Sequence, residues 1–249
     1  SRNFSKVVEL TGNIKEFTLF NAGAAIVVQE GQPYGNIVGS AYERSPEGRI
    51  VVDAEGTHRI ADSVKVLGNI QPKILGGFTN TFSYKGFELR VLIDARIGGK
   101  VYSRTKQDQW QKGTGVGTED PGDFIIDGVV EQPDHSYAEN TKVITRMAMF
   151  ANRGWSNLAE EFVLDASTAA LREVSLSWGM KKAFWNDRIK GVTLSLVGRN
   201  LAYIYRSKEF KAMGISAESS FAPTAAAQGI ESRNMPVLRS IGVNLNVNF

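Results

Sequence analysis

The sequence predicts an all-β protein: an antiparallel segment of a transmembrane β-barrel with long loops on one rim. Three observations predict it. Apolar and polar residues alternate with a period of two over five stretches of about 11 to 15 residues each. The links between those stretches alternate between short and long. No apolar run reaches the roughly 18 residues that a membrane helix needs.

The first stretch, 74–84, sets Phe78, Phe82 and Tyr84 against Thr79, Thr81 and Ser83. The second, 88–102, carries the strongest signal. Its odd positions Leu89, Val91, Ile93, Ala95, Ile97, Gly99 and Val101 are apolar or glycine, whereas Glu88, Arg90, Asp94, Arg96 and Lys100 fall on the even side. The third, 170–180, sets Val174, Leu176, Trp178 and Met180 against Glu173, Ser175, Ser177 and Gly179. The fourth, 191–204, has Val192, Leu194, Leu196, Ala202 and Ile204 opposite Thr193, Ser195, Arg199 and Tyr203, blurred by Val197 and Leu201. In the fifth, 237–249, Val237, Ile241, Val243, Leu245, Val247 and Phe249 oppose Ser240, Gly242, Asn244, Asn246 and Asn248. Arg239 and Leu238 are out of register.

Strands of this length exceed the usual 5 to 6 residues and suit the 9 to 11 or more of a tilted membrane strand. One face then meets lipid and the other water, so Glu88, Arg90, Asp94, Arg96, Lys100, Arg199, Asn244 and Asn246 are the candidate lumen-facing residues. An Arg or Lys on the lipid side costs about 2–4 kcal/mol at the midplane. An exposed face of a soluble antiparallel sheet alternates in the same way, so a soluble β-rich binding or adhesion module is the alternative. Strand length and loop asymmetry favour the barrel. A tight hairpin at Lys85-Gly86-Phe87 and a short link at 181–190 belong to one rim. The segments 7–73, 103–169 and 205–236 belong to the other.

Composition narrows the function. With 29 basic and 26 acidic residues the net charge is +3, scattered along the chain, which gives nucleic acid no basic patch. No cysteine is present, which excludes disulfides and thiolate metal sites and suits a chain exported through an oxidising compartment. The first residues, Ser1-Arg2-Asn3-Phe4-Ser5, read as strand rather than signal peptide. Within the loops, 49–52 and 64–67 suggest a small hairpin, and 112–128 reads as irregular. The stretch 156–170 suggests a short helix capped by Asn157 with Glu160 behind it.

No motif supports an enzyme. Gly113-Thr114-Gly115-Val116-Gly117 lacks the Lys-Ser/Thr of a phosphate loop. Glu119, Asp120, Asp123 and Asp127 miss the EF-hand spacing and read as a solvated loop. His58 and His135 lie far apart, without metal-ligand spacing, and are expected at the surface. Glu160 and Glu161 are adjacent, without a motif that sets them across a substrate. No nucleophile elbow is present. The expected catalytic, metal and cofactor-binding residues are therefore none.

Several segments, taken in order, carry a family resemblance. They are Gly31-Gln32-Pro33-Tyr34-Gly35, Leu67-Gly68-Asn69-Ile70-Gln71-Pro72, 76–89 (Gly-Gly-Phe-Thr-Asn-Thr-Phe onward) and Gly98-Gly99-Lys100-Val101-Tyr102-Ser103. Leu171-Arg172-Glu173-Val174-Ser175-Leu176-Ser177-Trp178, Val197-Gly198-Arg199-Asn200-Leu201 and the closing Met235-Pro236-Val237-Leu238-Arg239-Ser240-Ile241-Gly242 with Phe249 follow. In this order they resemble the C-terminal portion of the SusC/RagA family of TonB-dependent outer-membrane transporters. The resemblance implies the last strands of a 22-stranded barrel with an N-terminal plug, driven by TonB. It also implies a SusD-like lipoprotein partner and uptake of glycans or peptides across the bacterial outer membrane. The plug and TonB box are missing, so the chain is expected to be a fragment that supplies wall, loops and the closing strand. Phe249, at the end of the apolar face, resembles the C-terminal signal read by the barrel-assembly machinery.

Overall fold

The computed structural model describes residues 1–116, 118, 122–145, 149, 157–180, 189–218, 224, 227–233 and 235–248. The strands in chain order are β1 (Glu16–Asn21), β2 (Ala25–Gln29), β3 (Asn36–Gly39), β4 (Val51–Val52), β5 (Lys65–Asn69), β6 (Ile74–Tyr84), β7 (Phe87–Ile97) and β8 (Lys100–Ser103). They continue as β9 (Asp123–Ile125), β10 (Val129–Glu131), β11 (Tyr137–Glu139), β12 (Val143–Thr145), β13 (Val163–Asp165), β14 (Thr168–Met180), β15 (Gly191–Arg206), β16 (Ile230–Glu231) and β17 (Ser240–Asn248). Two helices, α1 (Arg104–Gln111) and α2 (Lys208–Met213), and a 3-10 turn at Ala159–Phe162 complete the description.

The long strands form one antiparallel sheet in the order β17-β15-β14-β7-β6. Its register sorts side chains into rows across the sheet. One row runs Tyr84, Phe87, Trp178, Leu194, Leu245, and a second runs Phe82, Leu89, Leu176, Leu196, Val243. Between them, on the opposite face, lies Ser83, Glu88, Ser177, Ser195, Asn244. The period of two seen in each strand is thus in phase across all five, which only a correct register can deliver.

The hairpin between β6 and β7 turns on two residues, Lys85 (φ 47°) and Gly86 (φ 86°). Positive φ at both central positions makes a type I′ turn, whose twist matches that of the strands it joins. A Cβ on Gly86 would lie 2.9 Å from the Gly179 carbonyl oxygen, and Gly179 N–H donates to the Gly86 carbonyl at 2.8 Å. The turn is thereby stitched to β14.

The other ends of the strands enter a folded head. Gly98 and Gly99, both with positive φ, turn the chain out of the wall sheet after Ile97. Four small sheets make up this head: β1-β2-β3-β5, β11-β10-β4, β12-β9 and β13-β8-β16. The molecule's packed core sits here, around Ile26, Ile37, Val52, Tyr102, Leu158 and Phe162. The Tyr102 and Phe162 rings meet edge to face with centroids 6.3 Å apart. A second, smaller cluster joins Val101, Leu164 and Ala166 to Phe210 of α2 and to Ala217.

Some expectations need correcting. The strand expected over 88–102 ends at Ile97 because of the two glycines, and Lys100 to Tyr102 belong to β8. The strand expected from 237 starts at Ser240, which leaves Arg239 outside it. No hairpin joins 49–52 to 64–67. β4 pairs in parallel with β10, and β5 pairs with β3. The stretch after Asn157 forms only the 3-10 turn and then β13, with Leu158 in the cap position and no side-chain cap bond. Phe249 lies outside the described residues.

Candidate functional site

The two faces of the wall sheet differ in chemistry, and that difference is the candidate site. On one face, Ile241, Val243 and Leu245 are 73%, 72% and 62% exposed, and Phe78, Phe82, Leu176, Leu194 and Leu196 are also exposed. Among the described residues no second layer covers them, and neither packed cluster includes a residue of this face. In water each such side chain forgoes about 1.5–3 kcal/mol of burial, and a continuous patch of this size marks contact with another apolar phase. At the turn end of the same face, Phe87 and Trp178 stack with centroids 6.1 Å apart, and Lys85 Nζ stands 5.2 Å from the centre of the Tyr84 ring. Aromatic and cationic groups at the end of an apolar band suit a membrane–water interface.

The opposite face collects the candidate residues. Glu88, Arg90, Asp94 and Arg96 of β7 share it with Glu173, Ser175, Ser177 and Thr168 of β14. Arg199 of β15 and Asn244 and Asn246 of β17 continue it. Lys100 does not join them. It stands on β8, where its side chain would touch any Cβ placed on Gly68.

Several charges on this face are paired. Arg199 Nε donates to Glu173 Oε2 at 3.0 Å. Arg172 donates from Nε to Asp94 Oδ1 at 2.8 Å and also binds Glu218, which comes from the segment after α2. Thr168 Oγ1 donates to the same Glu218 oxygen at 3.4 Å. Arg96 spends one amino group on the Ile70 carbonyl at 2.7 Å. Residues 207–218 are held down by Phe210, fully buried, and by Arg206 Nη1 donating to the Ile215 carbonyl at 3.0 Å. They form a strap over the head end of the polar face.

Of the other acidic and histidine residues singled out in the sequence, Asp127, Glu160, Glu161 and His135 have side-chain partners. Glu160 accepts from Arg44 (2.6 Å) and from the Tyr42 N–H (2.9 Å), and Glu161 accepts from Tyr42 Oη (2.8 Å) and Lys106 Nζ (2.9 Å). His135 is exposed and bonds Glu131 at 2.9 Å. His58, expected at the surface, is instead half-buried against the Tyr42 ring at 4.8 Å. Its burial pushes the imidazole below its ordinary pKa, against the pull of Glu161 and Asp53. Burial likewise pushes the Tyr102 phenol up to about 12. Among the described residues no group of His, Asp or Glu side chains is arranged to hold a metal. Glu119 and Asp120 lie outside the described residues.

Sequence reasoning missed Arg172 and Glu218. By parity Arg172 belongs with Val174 on the apolar side, and nothing in the sequence connects position 218 to the wall. It also missed α1. Its signal was present in Ser103, whose hydroxyl caps the helix by accepting from Lys106 N–H at 3.1 Å.

An antiparallel sheet with one oily and one polar face, built from strands as long as the 16 residues of β15 and crowned by a folded head, defines the class: a strand-rich wall segment that carries its loops. Comparison with known proteins agrees. No family profile matches the chain. TonB-dependent receptor P3 of Formosa agariphila is 21% identical to it over 227 residues, which cover 81% of this chain and 21% of that protein. Structures of the RagAB peptide importer match in fold. The closed-closed state has a TM-score of 0.57 at 15% identity, covering 96% of this chain and 25% of that one. The open-open state has a TM-score of 0.58 at 14% identity, covering 98% and 25%. The chain spans about a fifth to a quarter of the length of these relatives. The resemblance to SusC/RagA-type TonB-dependent transporters is therefore shared by a curated relative and by solved structures.

Proposed function

We propose that this chain is the C-terminal part of the barrel of a TonB-dependent outer-membrane transporter of the SusC/RagA type. It supplies wall and extracellular loops for the energy-coupled import of oligosaccharides or peptides. The observation that carries this reading is the uncovered apolar face, in phase across β6, β7, β14, β15 and β17, with polar and charged side chains on the face behind it. The apolar face meets lipid, and the polar face, with Glu88, Arg90, Asp94, Arg96, Arg199, Asn244 and Asn246, lines the lumen. The head stands outside the cell, where a SusD-like lipoprotein docks. TonB acts through a preceding part of the transporter, and barrel assembly reads Phe249. Passage needs no bond-making residue, so the chain carries no catalytic group.

Support comes from energetics. A soluble binding module must bury the odd positions of β7 against a second layer, and no described element lies there. The test is cysteine labelling of the full-length protein in outer membranes. Cysteines at Leu196 and Val243 should react with a lipid-soluble maleimide and resist a water-soluble one, whereas cysteines at Ser195 and Asn244 should show the reverse. Equal labelling by the water-soluble reagent at all four positions overturns the reading.

A further inference from the structure

On the apolar face of the wall, the row farthest from the β6–β7 turn ends on a cation. Arg2 lies directly opposite Ile74, and Ile74 opposite Ile97, so all three side chains leave the sheet on the same side. The height of that row follows from the strand. Tyr84 and Phe87 mark the other end of the face, and the 11 residues of β6 span about 33 Å from end to end. At a barrel tilt of about 40° this is about 25 Å along the membrane normal, the height of the apolar band of an outer-membrane barrel. Arg2 therefore stands at the upper edge of the hydrocarbon layer, where lipid phosphates begin.

Beyond Arg2 the chain climbs away from that layer. The Arg2 guanidinium lies 4.6 Å from the centre of the Phe4 ring, which keeps both side chains on one side. Phe4 and Val8 are largely exposed. Lys6 follows, and together with Lys15 and Glu30 it borders an open hollow of about 450 Å³. Among the described residues no carboxylate pairs with Arg2, Lys6 or Lys15. Three cations against Glu30 leave a positive patch, interleaved with apolar side chains. Neighbouring strands of a barrel cover the edges of a sheet and not its faces, so Arg2 and Phe4 stay outward when the wall is complete. A cation at this height extends its head toward phosphate while its stem stays on apolar surface. Each basic side chain near an anionic lipid surface strengthens association about fivefold.

We propose that Arg2, Lys6 and Lys15 form a docking site for the phosphorylated headgroup of an outer-leaflet glycolipid. The site lies on the outside of the barrel and takes no part in solute passage. The proposal rests on the membrane-wall reading above and goes beyond it, because it gives the wall a particular lipid rather than a hydrocarbon phase.

The test is native mass spectrometry of the full-length protein, purified in detergent. The protein is titrated with lipid A bearing two phosphates, with the same lipid dephosphorylated, and with phosphatidylglycerol. Phosphorylated lipid A should bind at least tenfold tighter than either of the others. Arg2→Gln, Lys6→Gln and Lys15→Gln combined should weaken that binding at least tenfold. Lys112→Gln, Lys142→Gln and Lys211→Gln combined, which remove exposed lysines from other elements of the head, should leave it unchanged. The site is overturned if dephosphorylated lipid A or phosphatidylglycerol binds as tightly, if the first triple variant binds as the parent does, or if the second loses as much as the first. The lipid comparison is made on the parent protein, so it decides the matter even where a variant fails to assemble. Failure of this site is distinguishable from failure of the membrane-wall reading. In the first case cysteines at Leu196 and Val243 still react with the lipid-soluble maleimide while headgroup phosphate makes no difference, and in the second those cysteines react from water.

Discussion

Arg172 Nε donates to Asp94 Oδ1 at 2.8 Å across a break in the β14–β7 register, where Leu171 faces Ile93 and Glu173 faces Leu92. One extra residue in β14 is a bulge, and a bulge re-aims a side chain without ending the strand. It turns Arg172 to the polar face while Leu171 and Val174 on either side keep to the apolar one. The same arginine reaches Glu218, so one guanidinium ties two wall strands to the strap.

Arg172→Met should therefore loosen the strap more than the wall. Its partners are partly exposed, with side-chain exposure of 47% for Asp94 and 24% for Glu218, which places the loss between an exposed ion pair and a buried one, about 1–2 kcal/mol. Hydrogen exchange checks this. The amides of Lys211 and Gly214 should exchange roughly 5- to 30-fold faster, the rate equivalent of that loss, while those of β14 and β15 stay protected. Uniform acceleration across the sheet would mean that Arg172 supports the wall itself.

Glu231 is the head's buried acid. It is 0% exposed and accepts from Ser103 Oγ at 2.7 Å and Thr105 Oγ1 at 2.6 Å. These bonds fix β16 to β8 and to the start of α1. Glu231→Ala leaves two hydroxyls without their acceptor and a cavity beside them, a loss of about 2–4 kcal/mol. Glu231→Gln keeps an acceptor oxygen and should lose about half as much. Limited proteolysis of the head would rank the three proteins. Equal resistance of the Ala and Gln variants would show that neither side-chain volume nor the one remaining acceptor oxygen matters there, and that the carboxylate itself carries the effect.

His58 should give the head a pH dependence. Its imidazole is held below the ordinary value of 6.5 by burial, so the unfolded chain takes up a proton first as the pH falls. Stability rises with pH wherever the unfolded state binds more protons. The head should accordingly lose stability below about pH 6.5 and level off once the folded form is protonated too. The attraction of Glu161 and Asp53 opposes the burial and keeps the effect modest. Thermal melts of the parent and of His58→Gln between pH 7.5 and 5 should diverge only below 6.5. Parallel curves would place the titration elsewhere.

What the sequence made legible is the wall, because period-two alternation is local and the bilayer enforces it on every strand. Glu88, Arg90, Asp94 and Arg96 could be placed on one face from β7 alone. Parity fails wherever the backbone slips by a residue. Arg172 sits in one bulge, and Asn200, with φ 52°, marks another, which lets Leu201 fold back to within 2.8 Å of where a Gly198 Cβ would stand. The break after Ile97 was also invisible, since Gly98 and Gly99 fit the alternation while their positive φ ends the strand. The head could not be read because its strands are two to six residues long and several of them pair across large sequence separations. Val51 finds Val129, and Tyr102 finds Ile230, and no local pattern announces such partners.

The wall's orientation yields the most direct prediction. Leu196 lies mid-strand on the apolar face, flanked by Leu176 and Val243, while its sequence neighbour Ser195 faces Ser177 and Asn244 on the other. Leu196→Arg places a guanidinium against lipid near the midplane, at a cost of about 2–4 kcal/mol. It should cut the fraction of full-length protein assembled in the outer membrane several-fold. Ser195→Arg adds the same charge one residue away, where water and Asn244 receive it, and should assemble normally. The comparison is read from heat-modifiable mobility on gels, which reports the closed barrel. In a soluble module this face is packed against a second layer, so Leu196→Arg would unfold the protein in water and neither the variants nor the parent would show a heat-modifiable barrel form. Normal assembly of Leu196→Arg would return this face to water and remove the physical basis for a membrane wall.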